Sequence, residues 1–318
     1  MYAILLYRPI VRRACAVLAV SMFCQVICAQ DKPSFSGVVE TYWLANPATK
    51  GAYDQLIWAE FHGRLNKNWS ATWSGFDFGS ISGYDESYVR YETDAASIRA
   101  GRLRTSFGFS DWSELLYTGI SHRPLVREMA IVGGKTKLDR DDSGAEVTAN
   151  FGPLQLQAAA IDTSLTRAQV GPDTVDSGTI TAQYGLGSLI LGAEVLGKTD
   201  FSQKVYGGNF RYTIPHWMFK GEYFQAAGPK AGSGGYVDVI YRIPYKLRTE
   251  LVAREEQVRY VNSAAPTLLT TLGIRHSFGR YITANLNYAW GNELEYSGYA
   301  KNLAIAGWSA RVMFQVQF

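Results

Sequence analysis

Cysteine is confined to the first 28 residues of this chain, at Cys15, Cys24 and Cys28. The same stretch carries three arginines and then an apolar run from Ala14 to about Ala29, which is the pattern of a secretory signal peptide. We therefore expect residues 1–29 to be cleaved. The exported domain, residues 30–318, then has neither a thiol nor a disulfide.

The rest of the chain also lacks long apolar runs and an excess of charge of either sign. No stretch after residue 29 is long and apolar enough for a transmembrane helix. Removing the signal peptide removes three arginines and no acid, which leaves 28 basic and 28 acidic residues. A chain without a basic field is not expected to bind nucleic acid.

Alternation of apolar and polar side chains runs from near Ser34 to the last residue. It predicts sixteen strands, most of them long enough for a tilted strand to cross a bilayer. Their predicted bounds are 35–45, 55–65, 69–79, 86–93, 96–106, 143–151, 154–162, 177–186, 188–197, 204–213, 217–226, 235–243, 247–256, 267–277, 281–291 and 304–318.

The connections between these strands alternate strictly between short and long. Tight turns such as Gly152-Pro153 and Gly187 interleave with longer segments, of which 107–142 is the longest. Short turns at one rim and long loops at the other are typical of an outer-membrane β-barrel. The expected fold is therefore all-β: a transmembrane antiparallel barrel of about sixteen strands, with the third long loop folded into the lumen.

The two faces of the clearer strands differ in chemistry. In 281–291, Ile282, Leu286 and Trp290 share a face opposite Thr283 and Asn285. Sixteen strands enclose a lumen too wide for side chains to fill, so the apolar face is expected to meet lipid and the polar face water. Aromatic residues near strand ends, including Tyr42, Trp58 and Tyr88, are interpreted as two interfacial girdles.

The final residues, GWSARVMFQVQF, alternate up to the terminal Phe318. This ending, with Phe314, Val316 and Phe318 on one face, resembles the C-terminal signal of Gram-negative outer-membrane proteins. The resemblance implies recognition by the barrel-assembly machinery and residence in the bacterial outer membrane.

A second resemblance lies at residues 101–108, GRLRTSFG. This stretch is similar to the Gly-Arg…Pro-Phe-Gly element that opens the third loop in phosphate-selective-type and related porins, although Ser106 stands where the family often has proline. The chain also lacks the Pro-Glu-Phe-Gly-Gly motif of enterobacterial general porins. The resemblance implies a passive channel for small hydrophilic solutes or ions, without a cofactor, assembled as a homotrimer in outer-membrane lipid.

Charged residues around the third loop are the candidate pore constriction. A crossed arrangement of acids and bases there would make a transverse field that favours polar solutes. The alternative is that the arginines only brace the loop. Strict alternation also separates Arg99 from Arg102 and Arg104 unless a bulge lies near Gly101. The candidates are Arg99, Arg102, Arg104, Asp111, Glu114, Arg123, Arg127 and Glu128.

Catalytic and metal sites are not indicated. The four histidines lie on four different segments without zinc spacing, and the acids of 138–144 lack the ligand spacing of a calcium loop. Ser121-His122 has no strained nucleophile turn around it. We expect no enzyme activity. A plugged receptor or structural barrel remains the main alternative, and a barrel-embedded hydrolase is the less favoured one.

Overall fold

The computed structural model describes residues 34–45, 52–78, 81–104, 107–109, 118–120, 124–128, 141–162, 177–198, 204–227, 231–245, 248–259, 266–292 and 307–317. The expected signal peptide, residues 1–29, lies outside this part of the chain. Among the residues described, no helix has the length and hydropathy to cross a membrane.

Sixteen strands and one short helix occupy the described ranges. The first eight strands are β1 Ser34–Ala45, β2 Ala52–Arg64, β3 Trp69–Phe78, β4 Ile81–Glu92, β5 Ala96–Arg104, β6 Asp141–Phe151, β7 Leu154–Asp162 and β8 Ser177–Leu186. The second eight are β9 Leu189–Lys198, β10 Lys204–Ile214, β11 Trp217–Ala227, β12 Ser233–Arg242, β13 Thr249–Arg259, β14 Thr267–Ser277, β15 Ile282–Gly291 and β16 Gly307–Gln317. The helix, α1, is Leu125–Glu128 and lies between β5 and β6.

Each strand pairs antiparallel with its sequence neighbours, and β1 pairs with β16 to close the barrel. The expected transmembrane-type barrel of sixteen strands is thus confirmed. The sequence-based bounds 69–79 and 86–93 leave residues 80–85 as a loop, one of the predicted longer connections. That prediction is wrong, because β4 begins at Ile81. A bulge between Trp73 and Gly75 interrupts the β3–β4 register there, which shifts the alternation on which the prediction depended.

The tight turns lie at one rim. Gly152 and Gly187 each begin a two-residue turn with φ of 60° and have no atom within 4 Å of a built Cβ, so the left-handed backbone alone calls for glycine there. Short turns of this kind join neighbouring antiparallel strands in register. The rim that carries them is called the short-turn rim below.

Alternation places apolar side chains outside and charged ones inside. On β13, Leu251 is exposed on the outer face, whereas Arg254 and Glu256 are almost fully buried on the inner face. The most exposed apolar side chains in the strands include Ile180, 64% exposed, and Phe151, 60% exposed. Their exposure fits a surface that faces lipid, not a soluble barrel with an apolar interior.

The aromatic girdles are only partly as predicted. Trp43, Trp217 and Trp290 lie exposed on the outer face near strand ends. Tyr42 and Trp58 belong to the inner face, because their neighbours in the register are inner-face residues, and so does Tyr88 opposite Thr72. The prediction failed for these three residues because a position near a strand end does not decide whether a side chain points into or out of the barrel. Alternation along the strand decides that.

Candidate functional site

An ion-paired cluster fixes the end of β5, just before the predicted loop 107–142, which is hereafter called the segment. Arg99 donates to Glu146 from Nε at 2.8 Å and from Nη2 at 3.1 Å, and its Nη1 lies 3.4 Å from Glu86 Oε1. The backbone of Arg104 joins the same cluster: its N–H donates to Glu86 at 2.9 Å, and its carbonyl accepts from Arg99 Nη2 at 2.8 Å. Arg99 thus braces the segment.

No bulge occurs at Gly101, so the three arginines divide between the two faces. Gly101 pairs in unbroken register with Tyr88 and Gly144. Its φ of 137° and its close approach to the backbone of Ser87 leave no room for a Cβ. By alternation Arg99 lies on the inner face, whereas Arg102 and Arg104 belong to the same face as the exposed Ile98.

A second cluster holds residues 107–109 and α1 against β9 and β11. Arg127 makes two parallel hydrogen bonds to Glu222, at 3.1 and 2.9 Å, and both side chains are buried. The N–H groups of Gly108 and Phe109 donate to Glu194 and Glu222 respectively. One guanidinium and two carboxylates therefore join three points of the segment to the barrel.

The electrostatics of Arg127 follow from this arrangement. Burial alone would lower the pKa of its guanidinium, but the charge and hydrogen bonds of Glu222, with a further contribution from Glu194, raise the pKa above its ordinary value. Arg127 is therefore a permanent cation. Its role in the cluster is to offset two buried carboxylates.

Apolar packing reinforces the same contacts. Phe107 stacks on Phe224 with ring centroids 5.2 Å apart, and the Arg127 guanidinium lies 4.8 Å from the same Phe224 ring. Leu125 and Val126 are buried in one apolar cluster with inner-face residues of β11 to β13. The Leu125 N–H also donates to Glu256 at 2.5 Å.

Residues 118–120 contact the inner faces of β12, β13 and β15. Ile120 packs against Ile240 and Val252, and the Gly119 carbonyl accepts from Asn287 Nδ2 at 2.9 Å. The contacts of the segment with β9 to β15 span about half of the barrel, and the inner faces of these strands are called the anchor wall.

The anchor wall also carries an ion network of its own. Arg254 donates to Asp238 at 2.5 and 2.8 Å, and Lys220 lies 3.7 Å from the same carboxylate. Both cations also lie over the ring of Tyr236. All of these groups are buried on the inner face.

The inner faces of β16 and β1 to β4 form the opposite wall. Glu40 accepts from Gln315 at 2.7 Å across the β1–β16 pairing, and the Arg311 guanidinium lies over Tyr42. Nearer the short-turn rim, His62 Nδ1 pairs with Thr72 Oγ1 at 3.0 Å. Both walls thus carry ionic and polar side chains beside apolar ones, such as Val38 on this wall and Phe224 on the anchor wall.

The sequence-predicted candidates are thus dispersed. Arg99 and Arg127 pair with inner-face acids, and Arg104 joins the first cluster through its backbone. By alternation the side chains of Arg102 and Arg104 belong to the outer face. Phe314 and Val316 are exposed on the outer face of β16. Asp111, Glu114, Arg123 and Phe318 lie outside the described residues, as does the side chain of Glu128.

Sequence reasoning missed the acids that hold the segment. Glu194 and Glu222 each stand in a mostly apolar strand, as in LILGAEVLGK of β9. A charge at an inner-face position of an apolar strand was the available signal. What the sequence could not supply was the partner, because Glu222 and Arg127 are 95 residues apart.

Within the described ranges, no group of three or more His, Cys, Asp or Glu side chains is placed to hold a metal ion. The contacts described at the site are ion pairs and hydrogen bonds between polar groups. Such an arrangement can bind, orient or exclude small polar solutes.

No family model matches the chain, and no curated protein matches it. Solved structures do. Salmonella typhi OmpF, in complex with daunomycin, is 11% identical with a TM-score of 0.69 over 91% of this chain and 98% of that one. The anion-selective porin from Comamonas acidovorans is 13% identical with a TM-score of 0.65, over 90% and 99%.

A trimer form of OmpT, an outer membrane protein of Vibrio cholerae, is 12% identical with a TM-score of 0.65, over 90% and 99% of the two chains. Agreement over almost the whole of each chain at such low identity concerns the fold. Together with the closed sixteen-stranded barrel, it shows that this chain has the fold of the Gram-negative outer-membrane porins.

Proposed function

We propose that the protein is an outer-membrane porin, a passive water-filled channel for small hydrophilic solutes or ions. The observation that carries this proposal is the distribution of charge: ionic side chains line the inside of a closed sixteen-stranded barrel whose outer face is apolar. A barrel of this size has a lumen wider than its side chains can fill. Water therefore occupies what the segment 107–142 leaves open.

In this proposal the segment narrows the pore from one side. Its anchors at Glu194, Glu222 and Glu256 all lie on the anchor wall. Solutes then pass between the segment and the opposite wall. Asp111, Glu114, Arg123 and Glu128 remain candidate constriction residues, while Arg99 and Arg127 act mainly by holding the segment.

The same proposal covers location and assembly. Residues 1–29 direct export, and the ending with Phe314, Val316 and Phe318 is read by the barrel-assembly machinery. The outer face contacts outer-membrane lipid. We further propose a homotrimer, by analogy with the trimer form described for the Vibrio cholerae protein.

A plugged receptor or structural barrel is the second candidate, and one observation favours it. The apolar cluster that receives Phe107, Leu125 and Val126 also includes Leu44 of β1 and Ile161 of β7. Apolar contacts therefore reach beyond the anchor wall. If the remainder of the segment continues them, the lumen is closed.

An enzyme is not proposed. A hydroxyl–imidazole pair does lie on the outer face, where Thr249 Oγ1 is 2.8 Å from His276 Nδ1. Phe278 lies against the edge of that imidazole, and no acid is described beside it to orient the ring as a catalytic pair requires.

Liposome swelling separates the two candidates. Vesicles that contain the refolded protein are diluted into isotonic sugars of increasing size. An open pore predicts swelling rates that fall steeply with solute size, whereas a plugged barrel leaves even the smallest sugar outside. Heat-modifiable migration on a gel verifies in each preparation that the barrel has folded.

A further inference from the structure

Three arginines lie in one row of opposed residues across the inner face. The register pairs Arg64 of β2 with Ser70 of β3, Ser70 with Arg90 of β4, and Arg90 with Arg99 of β5. Neighbouring strands lie about 4.8 Å apart, so the Cα atoms of Arg64 and Arg90 are separated by about 10 Å with Ser70 between them. Arg64 is the last residue of β2, and the row therefore begins at the short-turn rim.

The three guanidiniums differ in how far acids neutralise them. Arg99 is bonded to Glu146 and lies beside Glu86. Among the residues that the structure describes, Arg90 has one ion pair, a 4.0 Å approach to Glu92, whose side chain is 62% exposed. A pair this long and this exposed contributes little, so the charge of Arg90 remains available.

Arg90 is nevertheless held in place. Its guanidinium lies 5.9 Å from the ring centroid of Tyr88, and that of Arg99 lies 5.4 Å from the same ring. The Nε of Arg90 is buried without a hydrogen-bond partner. Within the described residues, no hydrogen bond or ion pair involving Arg64 is found, and its side chain is exposed.

His62 completes the group. It lies on the same inner face two residues before Arg64, and its Nδ1 is occupied by Thr72. Its Nε2 and the Ser70 hydroxyl add hydrogen-bonding groups beside the two cations.

We propose that Arg64 and Arg90, with Ser70 and His62, form a binding site for small carboxylates at the short-turn rim of the lumen. The planar fork of a guanidinium matches a carboxylate bidentately, and two forks about 10 Å apart at their Cα atoms can each take one end of a short dicarboxylate. That the site selects the solutes that pass rests on the proposed channel function. Binding itself does not depend on it.

Glu92, which lies beside Arg90, is expected to weaken carboxylate binding at the site. Glu92 competes with an incoming carboxylate for Arg90 and repels it. Removing the charge of Glu92 is therefore expected to strengthen binding about two- to threefold, as for other exposed pairs. Arg242 is the matched control: it ends β12 on the inner face at the same rim, but is paired with Glu250 at 3.0 Å.

The test is succinate binding to the folded barrel in detergent micelles, measured by line broadening of the succinate proton resonance. Neutral succinamide is the reference ligand. We expect the double variant Arg64→Gln/Arg90→Gln to bind succinate at least about tenfold more weakly, the loss expected for charge-assisted hydrogen bonds. Arg242→Gln is expected to bind as the unsubstituted protein does, and Glu92→Gln more tightly.

Two results would overturn the site: succinate that broadens no more than succinamide, or a double variant that binds like the unsubstituted protein. Reversal potentials in a gradient of potassium succinate then test its role in selection. If the barrel conducts and the double variant keeps the same succinate permeability, the selective role is wrong and the channel stands. If the barrel never conducts but succinate binding still depends on both arginines, the channel proposal fails and the site stands.

Discussion

Gly108 occupies a position that no side chain can share. A Cβ built there would overlap Arg127 Nη2 and Glu222 Oε1, and its φ is 80°. We predict that Gly108→Ala lowers the free energy of unfolding by about 3 kcal/mol or more, because the buried ion pair must separate in addition to the backbone strain. Urea unfolding in lipid vesicles, followed by tryptophan fluorescence, measures this.

Gly187 provides the matched control for that substitution. It also has positive φ, but open space surrounds it, so Gly187→Ala is expected to cost only about 1 kcal/mol of backbone strain. Equal losses at the two positions would mean that the cluster of Arg127 and Glu222 does not hold the segment.

Arg127 itself should matter through the acids that it leaves behind. We predict that Arg127→Met costs about 3–5 kcal/mol of unfolding free energy, since a buried carboxylate then lacks its cation. The double variant Arg127→Met/Glu222→Gln should recover part of that loss, because it removes the uncompensated charge. If the loss of unfolding free energy in the double variant equals the sum of the losses in Arg127→Met and Glu222→Gln, the two side chains are not coupled and the account is contradicted.

At the scale of the single strand, the two faces should tolerate charge differently. Ile180 and Gln183 belong to β8 and lie on opposite faces, with Ile180 exposed outside and Gln183 half-buried inside. We predict that Ile180→Arg lowers the unfolding free energy in lipid by about 2 kcal/mol, whereas Gln183→Arg changes it little. A larger loss for Gln183→Arg than for Ile180→Arg would contradict the assignment of the outer face to lipid.

Strand existence was predictable because alternation is local. The bounds of β7, Leu154–Asp162, and of β14, Thr267–Ser277, agree with the sequence-based ones, since tight turns mark one end of each. β4 was misjudged because a bulge breaks the alternation. The anchors of the segment could not be foreseen, because Gly108 meets Glu194 across 86 residues of sequence and no local pattern encodes that contact.

For the whole molecule, closure of the sheet is the decisive property. β1 meets β16 with Val39 opposite Val316. Residues 30–318 contain no cysteine, so Val39→Cys/Val316→Cys introduces the only two thiols. We predict rapid disulfide formation in the folded barrel, because opposed Cα atoms lie about 5 Å apart, and a faster-migrating band on a non-reducing gel.

The matched control for closure shifts one partner along β16. Val39→Cys/Val312→Cys places the thiols four residues, or about 13 Å, out of register, and no disulfide should form. A disulfide in this second variant and none in the first would contradict the register at closure.

The central claim is that the segment 107–142 narrows a barrel that stays open along the opposite wall. Single-channel recording of the refolded protein in a planar bilayer tests it most directly. The account predicts discrete conductance steps of uniform size, with Gly108→Ala broadening their distribution because the segment is then held less firmly. A correctly folded barrel that inserts and yet carries no current would contradict it and would favour the plugged barrel instead.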